Sequence, residues 1–401
     1  MTGSLTVTDL MDRAGAALHV AGSPGDESTR TRAARALWSA LVEPGDGVAG
    51  ALVRVYGPAD AYERVLSGGD VVGAASATGL SPDTVREGLT RWRPRMAAGV
   101  LAEVLERAAR AGARLLTPVD PEWPTMLDDL SDHAPVCLWV RGHATALDNP
   151  GGAIALVGAR AATSYGEHVA GDLAAGIVAE GATVVSGAAY GIDGAAHRAA
   201  LATGGPTVAF LAGGCDNLYP RGHAEMLERI MVHGAVVGEA PCGTVPSKHR
   251  FLLRNRLIAA LAGATVVVEA GARSGSLNTA GHAAALGRPL GAVPGPVTSA
   301  ASVGTHRMLR EFDARCITSA AEALELIGRG TPETLDLGEW TDDGTRVRDA
   351  LSRRVYRDAA TVAARSGLAV SDVESLLGVM LLDGAVESDP SGWRLRSGGA
   401  R

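Results

Sequence analysis

From residue 151 to residue 328, short apolar runs alternate with stretches whose apolar residues recur every three or four positions. The runs are Ile154-Ala155-Leu156-Val157, Thr183-Val184-Val185, Thr207-Val208-Ala209-Phe210-Leu211, Ala235-Val236-Val237, Thr265-Val266-Val267-Val268 and Leu290-Gly291-Ala292-Val293. The intervening spacing predicts helices over 165–180, 193–202, 223–232, 254–262 and 278–286. Strands that are apolar along their whole length, separated by helices, belong to a parallel sheet covered on both faces. The pattern therefore predicts an α/β fold with a central Rossmann-like, doubly wound parallel sheet. Ligands of such a sheet bind beyond the carboxyl ends of its strands.

The flanking patterns differ. Residues 1–27 read as a tail, with a marginal helix over 1–20 that Gly22-Ser23-Pro24-Gly25 ends. Residues 28–110 read as a helical module of the SAM or helix-hairpin kind, with Ala33, Leu37 and Leu41 at helical spacing. Ser81-Pro82-Asp83 is a helix start, a cap followed by proline at the first helical position. Residues 111–328 form the extended Rossmann-like domain. Within it, Ala113-Arg114-Leu115-Leu116 and Val136-Cys137-Leu138-Trp139-Val140 read as strands that extend the sheet. Residues 329–344 are a polar linker. Residues 345–401 read as three helices and a hairpin, a winged-helix-like domain. The start of its third helix, Ser371-Asp372-Val373-Glu374-Ser375, is acidic, which opposes phosphate. A protein contact or a structural role is favoured there over DNA binding.

Composition narrows the function. The 401 residues are 46% hydrophobic and 20% charged, and 52 are glycine, which suits many strand-to-helix turns. The formal net charge is −7, against a protein that coats nucleic acid with its whole surface. Any such binding needs a local patch. Cys137, Cys215, Cys242 and Cys316 are scattered without a C-x-x-C pair and are expected as buried reduced thiols. No secretory pattern opens the chain and no apolar run reaches membrane-spanning length, so a soluble cytoplasmic protein without a membrane partner is expected. The P-loop, the G-x-S-x-G elbow and H-E-x-x-H are missing, and the G-x-G-x-x-G fingerprint is absent after the first strand. Anion-cradling loops without a nucleophile, general base or metal cluster point to binding more than catalysis, with no cofactor.

Four strand ends carry candidate chemistry. Gly158-Ala159-Arg160 follows the first run, where an arginine reaches over the sheet towards a phosphate or forms a surface ion pair. Ser186-Gly187, followed by Gly191-Ile192-Asp193, forms a turn into a helix N-terminus, either an anion cradle or a plain connection. Asp193 is read as a helix cap. Lys248-His249-Arg250-Phe251-Leu252-Leu253-Arg254-Asn255-Arg256 is the densest basic segment, with five basic or potentially basic residues in nine. Lys248 is the only lysine of the chain. Ser274-Gly275-Ser276, before another helix, offers hydroxyls and N–H groups to an oxyanion, or caps the helix.

These residues, in order and spacing, resemble the DNA-processing protein A family, also called DprA or Smf. The resemblance rests on Gly158-Ala159-Arg160, Ser186-Gly187 through Gly191-Ile192-Asp193, Ala196-His197, Tyr219-Pro220, Phe251 with Arg254-Asn255-Arg256, Ser274-Gly275-Ser276 with Thr279-Ala280, and Pro294-Gly295. It implies a non-enzymatic protein that binds single-stranded DNA without sequence preference, protects incoming strands during natural transformation or related uptake, and loads the recombinase RecA. It also implies a homodimer formed through the Rossmann-like domain. Carried over by position, the DNA contacts are Arg160, Ser186, Gly187, Lys248, Arg254, Asn255, Arg256, Ser274 and Gly275. Tyr190 stands where the family commonly has arginine, and His306 replaces the asparagine of its G-T-N. The alternative is a nucleotide-processing enzyme of the phosphoribohydrolase kind; its P-G-G-x-G-T motif is missing, since Pro296-Val297 follows Pro294-Gly295.

Overall fold

The computed structural model describes residues 6–14, 17, 20, 27–66, 68, 70–149, 152–329 and 343–396. The chain divides into two compact units, Met1–Pro332 and Glu333–Arg401. Most of the stretch proposed as a linker, and the end of the tail with its Gly22-Ser23-Pro24-Gly25, lie outside the described residues.

The first unit is built on a nine-stranded sheet. In chain order the strands are β1 (Arg114–Leu116), β2 (Leu138–Gly142), β3 (Ala153–Val157), β4 (Thr183–Ser186), β5 (Thr207–Leu211), β6 (Ala235–Gly238), β7 (Ala264–Val267), β8 (Leu290–Ala292) and β9 (Arg315–Cys316). Their spatial order is β1-β2-β6-β5-β4-β3-β7-β8-β9. The pairs from β6 through to β9 are all parallel. Only the β1–β2 and β2–β6 pairs are antiparallel. After the edge strands β1 and β2, the parallel part starts in the middle at β3, winds outward to β6, then returns to place β7 on the other side of β3. That reversal makes the β3–β7 boundary the topological switch point, where a crevice opens.

Alternation along the strands builds two layers. Ala155 and Val157 of β3 face one core with Val185, Val208, Phe210 and Val267, under the helices Lys248–Leu261 and Ser276–Ala285. Ile154 and Leu156 face the other way with Val184 and Val266, against the helices Ser164–Ala179 and Ile192–Ala202. Each layer needs the other, because a sheet apolar on both faces is stable only when both are covered.

Residues 27–111 are helical over most of their length, and they share a core with the sheet. Trp38, Tyr62 and Trp92 are buried and meet edge-on, Trp38 lying 5.9 Å from Tyr62 and 5.4 Å from Trp92. The same core continues through Leu115, Trp139 and Leu211 to Met226 and Ile230. Gly50 shows how close the approach is: a Cβ there would lie 1.9 Å from the carbonyl oxygen of Asp132. Residues 28–110 thus pack as part of the sheet's unit.

The second unit has its own core. Val347, Leu351, Val362, Val373, Leu377 and Val386 are buried together. Its described elements are the helices Asp343–Ala350, Ala359–Ser366 and Val370–Leu382, then the antiparallel strands Val386–Asp389 and Gly392–Leu395. Among the described residues, no helix is long and apolar enough to cross a membrane. Three of the four cysteines are buried; Cys316, at the sheet edge, is exposed.

Candidate functional site

The turn after β4 is filled by a carboxyl group of the chain itself. Asp193 folds back so that its Oδ2 accepts from the N–H of Gly187 at 3.1 Å and of Ala189 at 3.4 Å. It does not cap its own helix, whose cap position, Gly191, has no side-chain hydrogen bond. Burial raises the Asp193 carboxyl above its usual range, while the charge of Arg254 and the two N–H groups pull the other way. Gly191 has φ +74°, and a Cβ would meet the carbonyl oxygen of Ala159 at 2.3 Å. Glycine is therefore required for the turn to lie against the β3 loop.

Ser186 and Gly187 lie behind the site. The Ser186 hydroxyl is buried and donates to the Leu156 carbonyl at 2.6 Å. The Gly187 carbonyl accepts from Arg254 at 2.8 Å. A Cβ at Gly187 would lie 2.1 Å from the Arg254 guanidinium. Neither residue has a free group for a ligand.

The open site is a cleft of about 600 Å³ at the β3–β7 switch point. Arg160 on one wall and Arg273 on the other are both exposed, and neither is in an ion pair among the described residues. Arg254 lies at the floor, buried, with Nη1 donating to Gly187 and, at 2.6 Å, to Phe210. Its Nε finds no acceptor among the described residues. Burial pushes the Arg254 guanidinium down to about 10, still far above neutral pH, so the floor stays positive. Half-buried Phe251 lies under Arg160, whose Cζ is 4.7 Å from the ring centroid.

Asn255, Ser274 and Gly275 complete the lining. Asn255 Nδ2 donates to Asn278 at 3.2 Å, tying the basic helix to the start of the helix Ser276–Ala285. The Ser274 and Ser276 hydroxyls share a hydrogen bond at 2.7 Å. Gly275 caps that helix without a side-chain bond, and a Cβ there would meet no atom within 4 Å. The helix N-terminus borders the cleft with its dipole positive towards it, though the N–H groups of Ser276, Leu277 and Asn278 already donate to Ser274 and Gly275.

Arg256 is not brought to the cleft. Its Nη1 and Nη2 bind both oxygens of buried Glu239, at 2.7 and 2.6 Å, and Nε donates to the His133 carbonyl at 3.0 Å. Lys248 is exposed at the first position of its helix and outside the cleft lining. With His249 and Arg250 it loads a helix N-terminus with positive charge and no acid in the first turn. That arrangement opposes the dipole and concentrates positive potential at this end. Arg250 answers it in part, binding Glu43 at 2.8 and 2.9 Å.

Sequence reasoning missed Arg273 and Glu269 as site residues. Arg273 was findable by the rule that selected Arg160, an arginine just beyond a strand end. Glu269 is buried and accepts from the Thr163 backbone N–H at 2.9 Å and hydroxyl at 2.5 Å. It binds the two walls of the crevice together, a role set by a residue 106 positions away. The two departures also have local roles. Tyr190 packs edge-on against His223 at 4.8 Å and does not line the cleft. His306 Nε2 bonds the Gly295 carbonyl at 3.0 Å.

The cleft lies inside the segment that the family model described as DNA recombination-mediator protein A matches, residues 114–328. The putative DNA processing protein DprA of Mycobacterium tuberculosis is 43% identical over 394 residues, 92% of this chain and 96% of that protein. Protein Smf of Escherichia coli is 34% identical over 293 residues, 70% of this chain and 77% of its own. Among solved structures, DNA processing protein A from Streptococcus pneumoniae matches with a TM-score of 0.58 at 29% identity. That match covers 74% of this chain and 96% of the other.

Proposed function

The chain belongs to the DNA recombination-mediator protein A family, and from that premise we propose that it binds single-stranded DNA in the β3–β7 cleft as a recombination mediator. The observation that carries the reading is the composition of the cleft. Arg160 and Arg273 line it exposed and, among the described residues, without an ion pair, together with a buried Arg254 and the N-terminus of the helix Ser276–Ala285. Guanidinium groups and helix N-termini are phosphate ligands, and contacts to phosphate carry no sequence information. The reading is that of a binding protein and not of an enzyme. Phe251, half-covered by Arg160, offers a ring on which a base stacks when Arg160 turns to a phosphate.

The same reading extends to partners. The protein loads RecA onto the strands it protects, acts in transformation or related DNA uptake, and works as a homodimer through the Rossmann-like domain. These parts rest on the family resemblance.

The test is fluorescence anisotropy with an oligonucleotide of mixed sequence. Wild-type protein binds with an affinity that falls as salt rises, by about 0.7 log units per log unit of salt for each phosphate neutralised. Arg160→Ala/Arg273→Ala weakens binding at least tenfold and leaves thermal unfolding unchanged. A wild-type protein with no affinity at low salt would overturn the reading.

A further inference from the structure

The rings do not end at the cleft. Phe251, under Arg160, lies against Tyr219, with centroids 5.8 Å apart and planes inclined at 57°. Tyr219 leads into the turn Pro220-Arg221-Gly222-His223, closed by the His223 N–H on the Pro220 carbonyl at 2.9 Å. A second ring packs on that turn. Tyr190 follows the cleft residue Ala189 and lies edge-on to His223 at 4.8 Å. It also covers Gly222, where a Cβ would lie 2.7 Å from the Tyr190 hydroxyl oxygen. His223 is buried, and its Nδ1 bonds the Ala188 carbonyl at 3.0 Å. The turn after β4 and the turn 219–223 therefore hold each other, and each presents a tyrosine. Tyr190 is 51% exposed and Tyr219 45%, so neither ring is used up in the core. Arg221, in the turn that joins them, is exposed and, among the described residues, in no ion pair.

We propose that Tyr219 and Tyr190, with Arg221 in the turn between them, form a base-stacking track that carries the strand out of the cleft on the side of β4 and β5. The proposal rests on the cleft reading and says where the next nucleotides go. Phe251 and Tyr219 touch, so no base fits between them and each ring takes its own base on its outer face. Every base has a ring face, so the track is indifferent to sequence. Rings and a guanidinium in one turn suit a chain in which bases and phosphates alternate. Both rings are held by their turns, which keeps the ordering cost of binding small. At Tyr190 this chain carries a ring in place of the charge that the family commonly has, which moves the contact from phosphate to base. A protein partner fits less well, because the core of a protein interface excludes charge and Arg221 stands among the rings.

The experiment uses the full chain and two probes, a single-stranded oligonucleotide of mixed sequence and an abasic strand with the same number of phosphates. Affinity is measured across salt for wild type, Tyr190→Ala/Tyr219→Ala, each single alanine variant and Tyr190→Phe/Tyr219→Phe, with thermal unfolding as the folding control. The double alanine variant is expected to lose about tenfold on the base-bearing strand and nothing on the abasic one. Its salt slope stays that of wild type, because no charge is removed. Each single variant shows part of the loss, and the phenylalanine variant keeps wild-type affinity, since stacking needs the ring and not the hydroxyl. The Arg160→Ala/Arg273→Ala chain separates the track from the cleft, because it loses affinity for both strands. Unchanged affinity in the alanine variants, while wild type binds, overturns the track and leaves the cleft standing. So does an equal loss on both strands, which makes the rings a support of the cleft, or a smaller species in sedimentation with DNA affinity intact, which makes them a protein contact. A wild type that binds neither strand overturns the cleft reading and the track with it.

Discussion

A helix advances about 100° per residue, so Arg254 and Arg256 leave the helix Lys248–Leu261 about 200° apart. One guanidinium therefore lies under the cleft and the other meets Glu239 in the interior. Their substitutions should separate. Arg256→Ala leaves Glu239 buried without its partner and is expected to cost about 3 to 5 kcal/mol, read in denaturant unfolding. Arg160→Ala leaves unfolding within about 0.5 kcal/mol of wild type and shows its effect on DNA affinity. Gly275→Glu is a sharper probe of the cleft. The space beside Gly275 is open and its backbone is helical, so the fold tolerates a side chain there, while a carboxylate faces the incoming phosphates. Single-strand affinity is expected to fall more than tenfold with no change in melting temperature. His197 gives a pH signature. It is fully buried, with Nδ1 bonded to Thr207 at 2.8 Å and no partner for Nε2 among the described residues. Burial, then the charges of His223, Arg254 and Arg198, lower its pKa to about 3. Because the folded value is depressed, the unfolded chain takes the proton first. Stability is complete above about pH 6.5 and falls by up to about 1.4 kcal/mol per pH unit between there and about pH 3. Denaturant unfolding of His197→Gln at pH 7 and pH 5 should show a pH dependence smaller by about 2 kcal/mol than wild type.

At the scale of elements, the site is made by loops that hold each other. Asp193 fixes the β4 turn, Glu269 ties the loop after β7 to Thr163 after β3, and Asn255 ties the basic helix to Asn278. Asp193→Ala frees the N–H groups of Gly187 and Ala189 and removes the counter-charge of Arg254. It is expected to cost about 1 to 3 kcal/mol and to speed amide exchange at Gly187 and Ala189 well before global unfolding. The elements themselves were legible in the sequence. The strands from β3 to β8 fall where apolar runs place them, because a buried parallel strand has to be apolar throughout, and the helices between them follow the three-to-four spacing, except that the helix Lys248–Leu261 begins six residues before the predicted start at 254. The edge was less legible. β1 and β2 are strands as the pattern predicts, but their antiparallel pairing onto β6 depends on the course of the chain through Pro121-Glu122-Trp123-Pro124. β9 is two residues long and both are exposed, too little for any periodicity.

For the whole molecule, two compact units with separate cores predict two thermal transitions in calorimetry. The smaller transition should vanish when Leu377, fully buried in the second unit, is replaced by aspartate, leaving the larger one in place. The sequence by itself determined the α/β class, the presence of a cleft at the strand ends, and the family, since each follows from local pattern or from motifs read in order. It also determined that Arg160, Arg254, Asn255, Ser274 and Gly275 belong together, because they sit in motifs that follow or face the strands of one sheet. Only the tertiary structure decided which members of those motifs face the cleft. Ser186 and Gly187 look like a cradle until Asp193 and Arg254 are seen to occupy it, and Arg256 looks like a phosphate ligand until Glu239 is found beside it. Arg273 became a site residue only when the order β3-β7 put its loop opposite Arg160. The physical reason is the same in each case. A motif fixes what chemical group a residue carries, but its availability depends on partners that the fold brings from tens of residues away.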